Sequence, residues 1–301
     1  MMKKQLFILF LLVSNFCHSQ GFVDLFSINY GKSAATTYEN GFQTTTITNL
    51  DTNLTLPIEL NEKYAIITGG DFSYNSLQLF PDGNYNNLYL TRIKAGINIV
   101  HSERWSGTYI LLPKLSSDYV NPSMDDFYMG GVAVLKYKKN KNLSYKFGLY
   151  ASDEAFGLFI SPIIGLYYLS PNARFEMNLY LPNDGDLNYG LTDKIKIGMD
   201  FVGRGKSFKL TTDGVRSSYV ENNSLELSSY LQNNSLCKNV LLRLKVGFST
   251  NSFEVYPIDQ KIDFATSLFK FGDHRTQLND NLSSSPFIKI EAIYRLDIAS
   301  K

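Results

Sequence analysis

The segment LTDKIKIGMDFVGRG, residues 191–205, carries the pattern on which the fold depends. Its apolar residues alternate with charged or small ones, so that Ile195, Ile197, Met199 and Phe201 share one parity and Lys194, Lys196, Gly198 and Asp200 the other. A β-strand with this pattern has one apolar face and one charged face. The architecture therefore follows from which solvent each face meets.

The same alternation recurs along most of the chain. Apolar residues share a parity in six further stretches: Leu54 to Leu60, Tyr64 to Tyr74, Tyr89 to Ile99, Leu143 to Leu149, Phe175 to Leu181 and Val240 to Phe248. The last stretch holds Ile288, Ile290, Ala292, Tyr294 and Leu296. Residues of the opposite parity are mostly polar or charged, which predicts strands with one apolar and one polar face.

The connections between these strands sort into two classes that alternate along the chain. We predict short turns at 61–63, 101–104, 138–142, 170–172, 203–206 and 233–238. Longer loops are predicted at 32–41, 81–86, 117–125, 182–189, 213–221 and 258–285, with 152–155 as a short exception. This division gives about fourteen strands, with twelve as the next possibility, and both chain ends on the short-turn side.

An even number of strands with short turns at one end and long loops at the other is typical of a transmembrane β-barrel. We therefore predict an all-β fold, a closed up-and-down antiparallel barrel whose apolar face meets lipid. A soluble β-sandwich would also alternate, but its loops need not sort by length. In that alternative the lysines face bulk water and the isoleucines a core.

The N-terminus, MMKKQLFILFLLVSNFCHS, has the plan of a secretory signal peptide. Its apolar run from Leu6 to Val13 is too short to span a bilayer as a helix. We predict cleavage after Ser19, which leaves a barrel domain at 20–301 and Cys237 as the one thiol of the mature chain. An exported barrel of this kind is expected in a bacterial outer membrane, in contact with its lipid.

The composition excludes one class of partner. The chain has 301 residues, with 29 Lys and Arg against 28 Asp and Glu, so it lacks the basic surplus that nucleic-acid binding requires. Aromatic residues reach 14%, a content suited to strands.

Two segments resemble a known family. They are residues 103–118, with Trp105, Pro113 and Ser117-Asp118, and residues 158–191, with Pro162, Gly165, Tyr167, Leu181-Pro182 and Tyr189. In these features the chain is similar to a family of uncharacterised outer-membrane β-barrel proteins of Bacteroidota-type bacteria. The resemblance runs from about residue 60 to the end and implies location and fold, but no activity.

Catalytic and metal-binding candidates are few, and we expect neither an enzyme nor a cofactor. His101 lies in a polar turn, and His274 lies beside Asp273 in the longest loop. A triad of His274 with a serine among 283–285 has no supporting motif. The loop Asn183 to Asp186 offers oxygen ligands for calcium, but turn formation explains the same residues.

The charges of the polar parity are predicted to line the lumen. These are Arg92, Lys94, Lys146, Arg174, Glu176, Lys194, Lys196, Asp200, Arg243, Lys245, Lys289, Glu291 and Arg295, with Lys209 and Glu226 as further members. Their positive surplus favours a passive channel or transporter for small hydrophilic solutes with a mild anion preference. The alternative is a structural or partner-binding barrel whose interior is filled by ion pairs. The sequence identifies neither the solute nor a protein partner.

The long outer loop 258–285 contains a candidate helix. Ile258, Ile262, Ala265, Leu268 and Phe269 recur at helical spacing, and Pro257 could begin the helix. Such a helix could constrict the mouth or lie outside it, and an irregular surface loop is the alternative.

Overall fold

The computed structural model describes residues 22–212, 215–237 and 239–297. The predicted signal peptide and its cleavage site lie outside these residues. Within them the strands are β1 (Phe22–Ser33), β2 (Thr36–Thr37), β3 (Thr44–Thr45), β4 (Thr48–Glu59), β5 (Tyr64–Gln78), β6 (Tyr85–Val100), β7 (Trp105–Leu111), β8 (Lys114–Ser117), β9 (Phe127–Tyr128), β10 (Gly130–Lys138), β11 (Leu143–Glu154), β12 (Gly157–Leu169), β13 (Phe175–Leu181), β14 (Asp184–Gly190), β15 (Ile195–Gly203), β16 (Lys206–Thr212), β17 (Val215–Asn222), β18 (Leu225–Cys237), β19 (Val240–Ser249), β20 (Phe253–Pro257), β21 (Phe264–Thr266), β22 (Lys270–Phe271) and β23 (Ser285–Asp297). A 3₁₀-helix covers Met124–Asp126.

Fourteen of these strands close a barrel, which confirms the predicted fold class. Each pairs antiparallel with the next in the order β1, β4, β5, β6, β7, β10, β11, β12, β13, β14, β15, β18, β19 and β23. The ring is completed by β23 and β1, which pair from Phe22 with Asp297 to Ser33 with Phe287. Closure leaves no free edge in the wall, as a membrane-spanning sheet requires.

The outer face of the wall is apolar around the ring. On β15, Ile197 and Met199 are exposed, while Lys196 and Asp200 make contacts inside the barrel. Large apolar side chains are exposed in the same way on many other wall strands, among them Phe26, Ile28, Leu54, Leu56, Ile93, Leu135, Phe147, Ile164, Leu227, Leu244, Val246, Ile288 and Ile290. In water such a continuous belt would be costly, so hydrocarbon is its natural solvent.

Aromatic pairs border this belt. Trp105 and Tyr137 lie 5.0 Å apart, measured between ring centroids, close to the short turns. Tyr89 and Tyr119 stack at 5.0 Å nearer the opposite rim. Aromatic girdles at the two interfaces are typical of transmembrane barrels.

The short connections lie at one end of the barrel and occupy 60–63, 101–104, 139–142, 170–174 and 191–194, with a further one between β18 and β19. Both described chain ends lie at that end, as predicted. Three predicted connections are wrong. Residues 184–189 of the predicted loop 182–189 belong to the wall strand β14, and the predicted short turn 203–206 lies on the opposite rim, where it leads into β16. Residues 215–221 of the predicted loop 213–221 belong to β17, which pairs with β16.

The first two errors cancel in the strand count. The sequence prediction omitted β14 and counted residues 207–212 as a wall strand, although β16 does not belong to the wall ring. As a result β15 runs opposite to the predicted direction. Its two faces are nevertheless as predicted, because reversing a strand does not change which residues share a face.

Three strands form a sheet inside the long-loop end of the barrel, which we call the plug sheet: β16, β17 and β20. One of its faces packs on the inner side of β5 and β6, where Phe208, Val220 and Val255 join a buried cluster with Leu77 and Leu88. The other face packs near β11 and β12, where Tyr219 and Tyr256 contact a second cluster with Phe156 and Phe159. Apolar contacts on both faces fix the plug sheet between two parts of the wall.

The predicted helix in the loop 258–285 is wrong. That stretch forms β21 and β22, and β21 pairs parallel with the outer part of β12. Ile262 and Ala265 are buried in the second cluster, and the rings of Phe264 and Phe271 stack at 4.4 Å across the hairpin. Among the described residues, no helix has the length and apolarity needed to cross a membrane.

Candidate functional site

The interior below the plug sheet is filled by ion pairs that link several wall strands. One group centres on Asp71, whose carboxylate lies 2.7 Å from both the Arg92 and the Lys94 nitrogen. A second group joins Arg204 to Asp51 at 2.9 Å and to Glu226 at 3.0 Å. Because opposite charges compensate each other, these groups can be withdrawn from water without an unpaired charge.

Further groups continue this network. Lys245 lies 2.6 Å from Asp200 and 2.9 Å from Glu291. Arg243 lies 2.8 Å from Asp186, and its guanidinium carbon is 4.3 Å from the centroid of the Tyr230 ring. These contacts join β14, β15, β18, β19 and β23 across the interior.

Toward the short-turn end, Arg295 lies 2.6 Å from Asp24, and Lys196 lies 3.4 Å from Glu176. Lys146 is buried and donates to the Asn178 Oδ1 atom at 3.0 Å. Its ammonium group also lies 3.6 Å from the centroid of the Tyr180 ring.

The structure brings together most of the residues predicted to line the lumen. Two do not belong to the network: Arg174 and Lys194 are exposed in the short turns 170–174 and 191–194. Lys209 lies on the plug sheet rather than on the wall. The others take part in the interior contacts above, or, for Lys289, in an ion pair with Glu226 at 2.6 Å.

Sequence reasoning missed several interior charges, mainly acids: Asp24, Asp51, Asp71, Asp186, Arg204 and Lys206. Asp51 and Asp71 have the polar parity of their strands. Asp71 lies within the predicted stretch Tyr64 to Tyr74, and extending the alternation before Leu54 would have found Asp51. Asp186 was assigned to a loop. The predicted cation surplus was too large for this reason.

A buried polar site, centred on Glu154, attaches the plug sheet to the wall in addition to the apolar contacts. The Glu154 carboxylate pairs with Lys114 and accepts hydrogen bonds from the Ser207 backbone N, at 3.2 Å, and Oγ, at 2.7 Å. Beyond this site, Lys209 of β16 is paired in register with Ser117 of β8, which is itself paired with the wall strand β6. The main-chain ladder between plug and wall is therefore very short.

The outer loop carries a separate charged group. Arg275 lies 2.7 Å from Glu221 and 2.8 Å from Asp273. Hydrogen bonds from Arg275 lower the pKa of Asp273 to about 2. This group holds the loop 258–284 against the plug strand β17 by charge as well as by apolar contacts.

The histidine and calcium candidates have other surroundings. His101 is exposed, with Nε2 at 3.4 Å from the Tyr109 hydroxyl. His274 is exposed, and its neighbour Asp273 pairs with Arg275. Asp184–Gly190 is a wall strand, and Asp186 accepts from Tyr230 at 2.8 Å, so these residues do not form an ion-binding loop.

Comparisons with known proteins complete the description. No curated protein matches the sequence. Among solved structures, the chain is similar to the NanC porin, with 10% identity, a TM-score of 0.39 and coverage of 90% of this chain and 100% of that one. It is also similar to the TodX monoaromatic hydrocarbon channel, with 9% identity, a TM-score of 0.39 and coverage of 92% and 91%. A third similar structure is the translocator domain of the autotransporter NalP from Neisseria meningitidis, with 9% identity, a TM-score of 0.36 and coverage of 98% and 96%.

The sequence profile of one family matches residues 24–270, which is most of the chain and nearly all of the barrel. By this match the chain belongs to the family described as a domain of unknown function, DUF6268.

Proposed function

We propose that the protein is a gated outer-membrane passage for small hydrophilic solutes, closed in this conformation by the plug sheet. The observation that carries the proposal is the difference between the wall and the plug sheet inside it. The wall is a complete ring with a charged inner face, whereas the plug sheet is a separate element inside it. Displacing the plug sheet leaves every wall ladder intact.

The exterior of the barrel supports the proposed location. A belt of apolar side chains with aromatic borders suits lipid on all sides, and closed barrels with this surface are found in bacterial outer membranes. The predicted signal peptide would supply the export that this location requires.

Two features make displacement of the plug sheet physically reasonable. Its ladder to β8 consists of a single registered residue pair, Lys209 with Ser117. Its remaining contacts with the wall are side-chain contacts, which can separate without breaking a sheet. A gate needs this combination of a rigid frame and an insert that is not part of the hydrogen-bonded frame.

The charge of the opened interior gives at most a weak anion preference. Among the described residues, the interior ion pairs contain nine cations, Arg92, Lys94, Lys196, Arg204, Lys206, Arg243, Lys245, Lys289 and Arg295, of which Lys206 belongs to the plug strand β16 and moves with it. They contain eight acids, Asp24, Asp51, Asp71, Glu176, Asp186, Asp200, Glu226 and Glu291. With this near balance, selection by charge is weak and selection by size dominates.

A variant without the β16–β17 hairpin tests the proposal. Gly203 of β15 and Leu225 of β18 are paired neighbours, so a two-residue Asn-Gly turn in place of residues 205–223 can join the two strands directly. Arg204 and its pairs with Asp51 and Glu226 are retained. In planar bilayers we expect rare openings from the natural chain and continuous conductance from the shortened one.

Folding of both proteins is checked by heat-modifiable mobility on gels. If the shortened barrel folds and conducts no better than the natural chain, the gated passage is ruled out.

A second candidate function has its own supporting observation. The hairpin of β21 and β22 exposes Leu268 by 75% and Phe269 by 64%, next to the outer end of β12. A non-conducting barrel that binds a protein partner would use such a surface. A silent shortened variant, together with a specific photo-crosslink from residue 268 in intact cells, would favour this alternative.

A further inference from the structure

A small polar cavity lies where the lower edge of the plug sheet meets the wall. Asn49 of β4 and Asn75 of β5 line it from the wall, and Asn222 at the end of β17 lines it from the plug sheet. Arg204, Glu226 and Lys289 line it as well. Its volume is about 20 Å³, which is enough for one small occupant.

Three buried amide atoms at this cavity have no hydrogen-bond partner: Asn49 Oδ1, Asn75 Nδ2 and Asn222 Nδ2. The three residues are exposed by only 7%, 2% and 1%. Each unsatisfied buried polar atom costs about 1–3 kcal/mol, so three at one cavity indicate an occupant that bonds them.

The orientation of Asn222 is fixed by its neighbours. Its Oδ1 atom accepts from the Ser224 backbone N at 3.1 Å and from the Ser224 Oγ at 2.7 Å. The Nδ2 group of Asn222 is therefore the atom left for the cavity, and it is a donor. Asn49 and Asn75 can present either amide atom, since rotation by 180° exchanges them.

The residues that line the cavity carry more positive than negative charge. Arg204 and Lys289 share the single lining carboxylate, Glu226, at 3.0 and 2.6 Å, and Lys32 adds a further cation to the lining. Asp51, which is not a lining residue, pairs with Arg204 at 2.9 Å. The side chains of Lys289 and Asn49 both pack against Gly31 and so lie close to each other. A Cβ atom added at Gly31 would lie 2.4 Å from Lys289 Cγ and 2.5 Å from Asn49 Oδ1. Amide donors with a surplus of cations suit an anion better than a neutral solute or a metal ion.

We propose that this cavity binds one small anion, either a free halide or the carboxylate group of a solute, through the amides of Asn75 and Asn222 and the ammonium group of Lys289. The site joins the wall to the plug sheet, so an occupant would hold the two together. The proposal does not depend on the passage of solutes, because a barrel that never conducts can hold the same ion.

Bromide is the direct probe of a halide. We expect an anomalous scattering peak between Asn75 and Asn222 in crystals of the full chain soaked in sodium bromide. Asn222→Asp keeps the oxygen that accepts from Ser224 and replaces the free donor by a negative oxygen, so the peak should disappear. Asn140→Asp makes the same charge change in an exposed turn, where Asn140 Oδ1 accepts from Asn142 N, and should keep the peak.

Acetate is the probe of a carboxylate. The thermal midpoint of the gel-mobility shift should rise with potassium acetate at constant ionic strength, with the bulky 2-morpholinoethanesulfonate as the replaced anion. We expect half-saturation at least tenfold higher in Asn222→Asp than in the natural chain, and no change in Asn140→Asp. Asn75→Asp serves as the second variant if Asn222→Asp does not fold.

A bromide peak without an acetate effect identifies a halide site, and an acetate effect identifies a carboxylate site. Ordered water in place of bromide, together with equal stabilisation by acetate and by glycerol, overturns the proposal. A bromide peak that persists in Asn222→Asp and in Asn75→Asp also overturns the proposal.

Discussion

The ammonium group of Lys114 and the carboxylate of Glu154 form an ion pair from which solvent is excluded, with side-chain exposures of 3% and 0%. Lys114 begins β8, which pairs with the wall strand β6, and Glu154 ends the wall strand β11, so the pair joins β8 to the wall. The second carboxylate oxygen accepts from Ser207 on the plug sheet. One carboxylate therefore connects the wall to the plug, and its removal has consequences for both.

Replacing Glu154→Ala leaves the Lys114 charge buried without its partner. Loss of one member of a buried pair costs about 3–5 kcal/mol, and we expect a decrease of that size in the free energy of unfolding. Urea unfolding followed by the fluorescence of Trp105, the single tryptophan, gives the measurement.

The double variant Lys114→Met with Glu154→Leu should recover most of this loss, because it removes both charges and keeps the volume. Glu62→Ala, in an exposed turn, is the matched control and should change stability by less than about 0.5 kcal/mol. A Glu154→Ala cost no larger than that of the control would show that the pair is hydrated.

A reversible disulfide between β16 and β8 can hold the plug sheet in place. Lys209→Cys with Ser117→Cys, in a Cys237→Ser background, places two thiols at registered positions of the plug sheet and of β8, which is paired with the wall strand β6. If the plug sheet must move for conductance, oxidation should reduce the frequency of channel openings at least tenfold, and reduction should restore it.

The control pair lies within the wall. Thr68→Cys with Ala95→Cys joins registered positions of β5 and β6, away from the plug sheet. Its oxidation should leave the opening frequency unchanged. Equal effects of the two disulfides would place the gate elsewhere.

The faces of the wall strands could be predicted because they depend on local alternation alone. Lys196 and Ile197 occupy opposite faces whichever way β15 runs, so an error in direction did not disturb the assignment. The order of the wall strands could also be predicted, because strands that follow each other in the sequence lie side by side in an up-and-down barrel.

Strand β14 could not be predicted because long-range contacts determine it. Its residues Asp184 to Asp186 read as a turn, yet Asp186 pairs with Arg243 from β19. A Cβ atom at Gly185 would lie 2.4 Å from the Phe201 ring, so glycine here leaves space for an aromatic side chain rather than for a bend. Arg243 and Phe201 both lie too far along the sequence from β14 for a local pattern to include them.

The plug sheet was hidden for a related reason. Residues 207–212 alternate as a wall strand does, and the alternation cannot show that both faces are covered by protein. Phe208 packs toward β6, while Ser207 bonds Glu154 on the other side. The ion-paired state of the interior depends on this placement.

Acid should loosen the outer loop through Asp273. The pKa of this carboxyl is lowered to about 2 by hydrogen bonds from Arg275, below the ordinary value of about 3.9. The ionised form therefore stabilises the docked loop above pH ~4, and this stabilisation is lost as the pH falls toward about 2. Because Asp273 is partly exposed, we expect only a roughly two- to fivefold increase in hydrogen exchange of residues 258–284, corrected for intrinsic rates.

Asp273→Asn should show the faster exchange already near neutral pH, and its exchange should not respond further to acid over this range. Asp259→Asn removes an exposed carboxyl from the same loop and should behave as the natural chain does. An acid response that persists in Asp273→Asn would assign the effect to another group.

The solvent of the outer face is tested by one charge placed at two depths. Met199 lies exposed on the lipid-facing side of β15, and Met124 lies exposed in an outer connection. Met199→Arg should lower the unfolding free energy in lipid vesicles by about 2–4 kcal/mol, because a guanidinium near the middle of the bilayer must leave water. Met124→Arg makes the same substitution in water and should change the unfolding free energy by less than about 0.5 kcal/mol. Similar small costs at the two positions would mean that water surrounds the apolar belt, and the barrel would then not be embedded in lipid as its surface indicates.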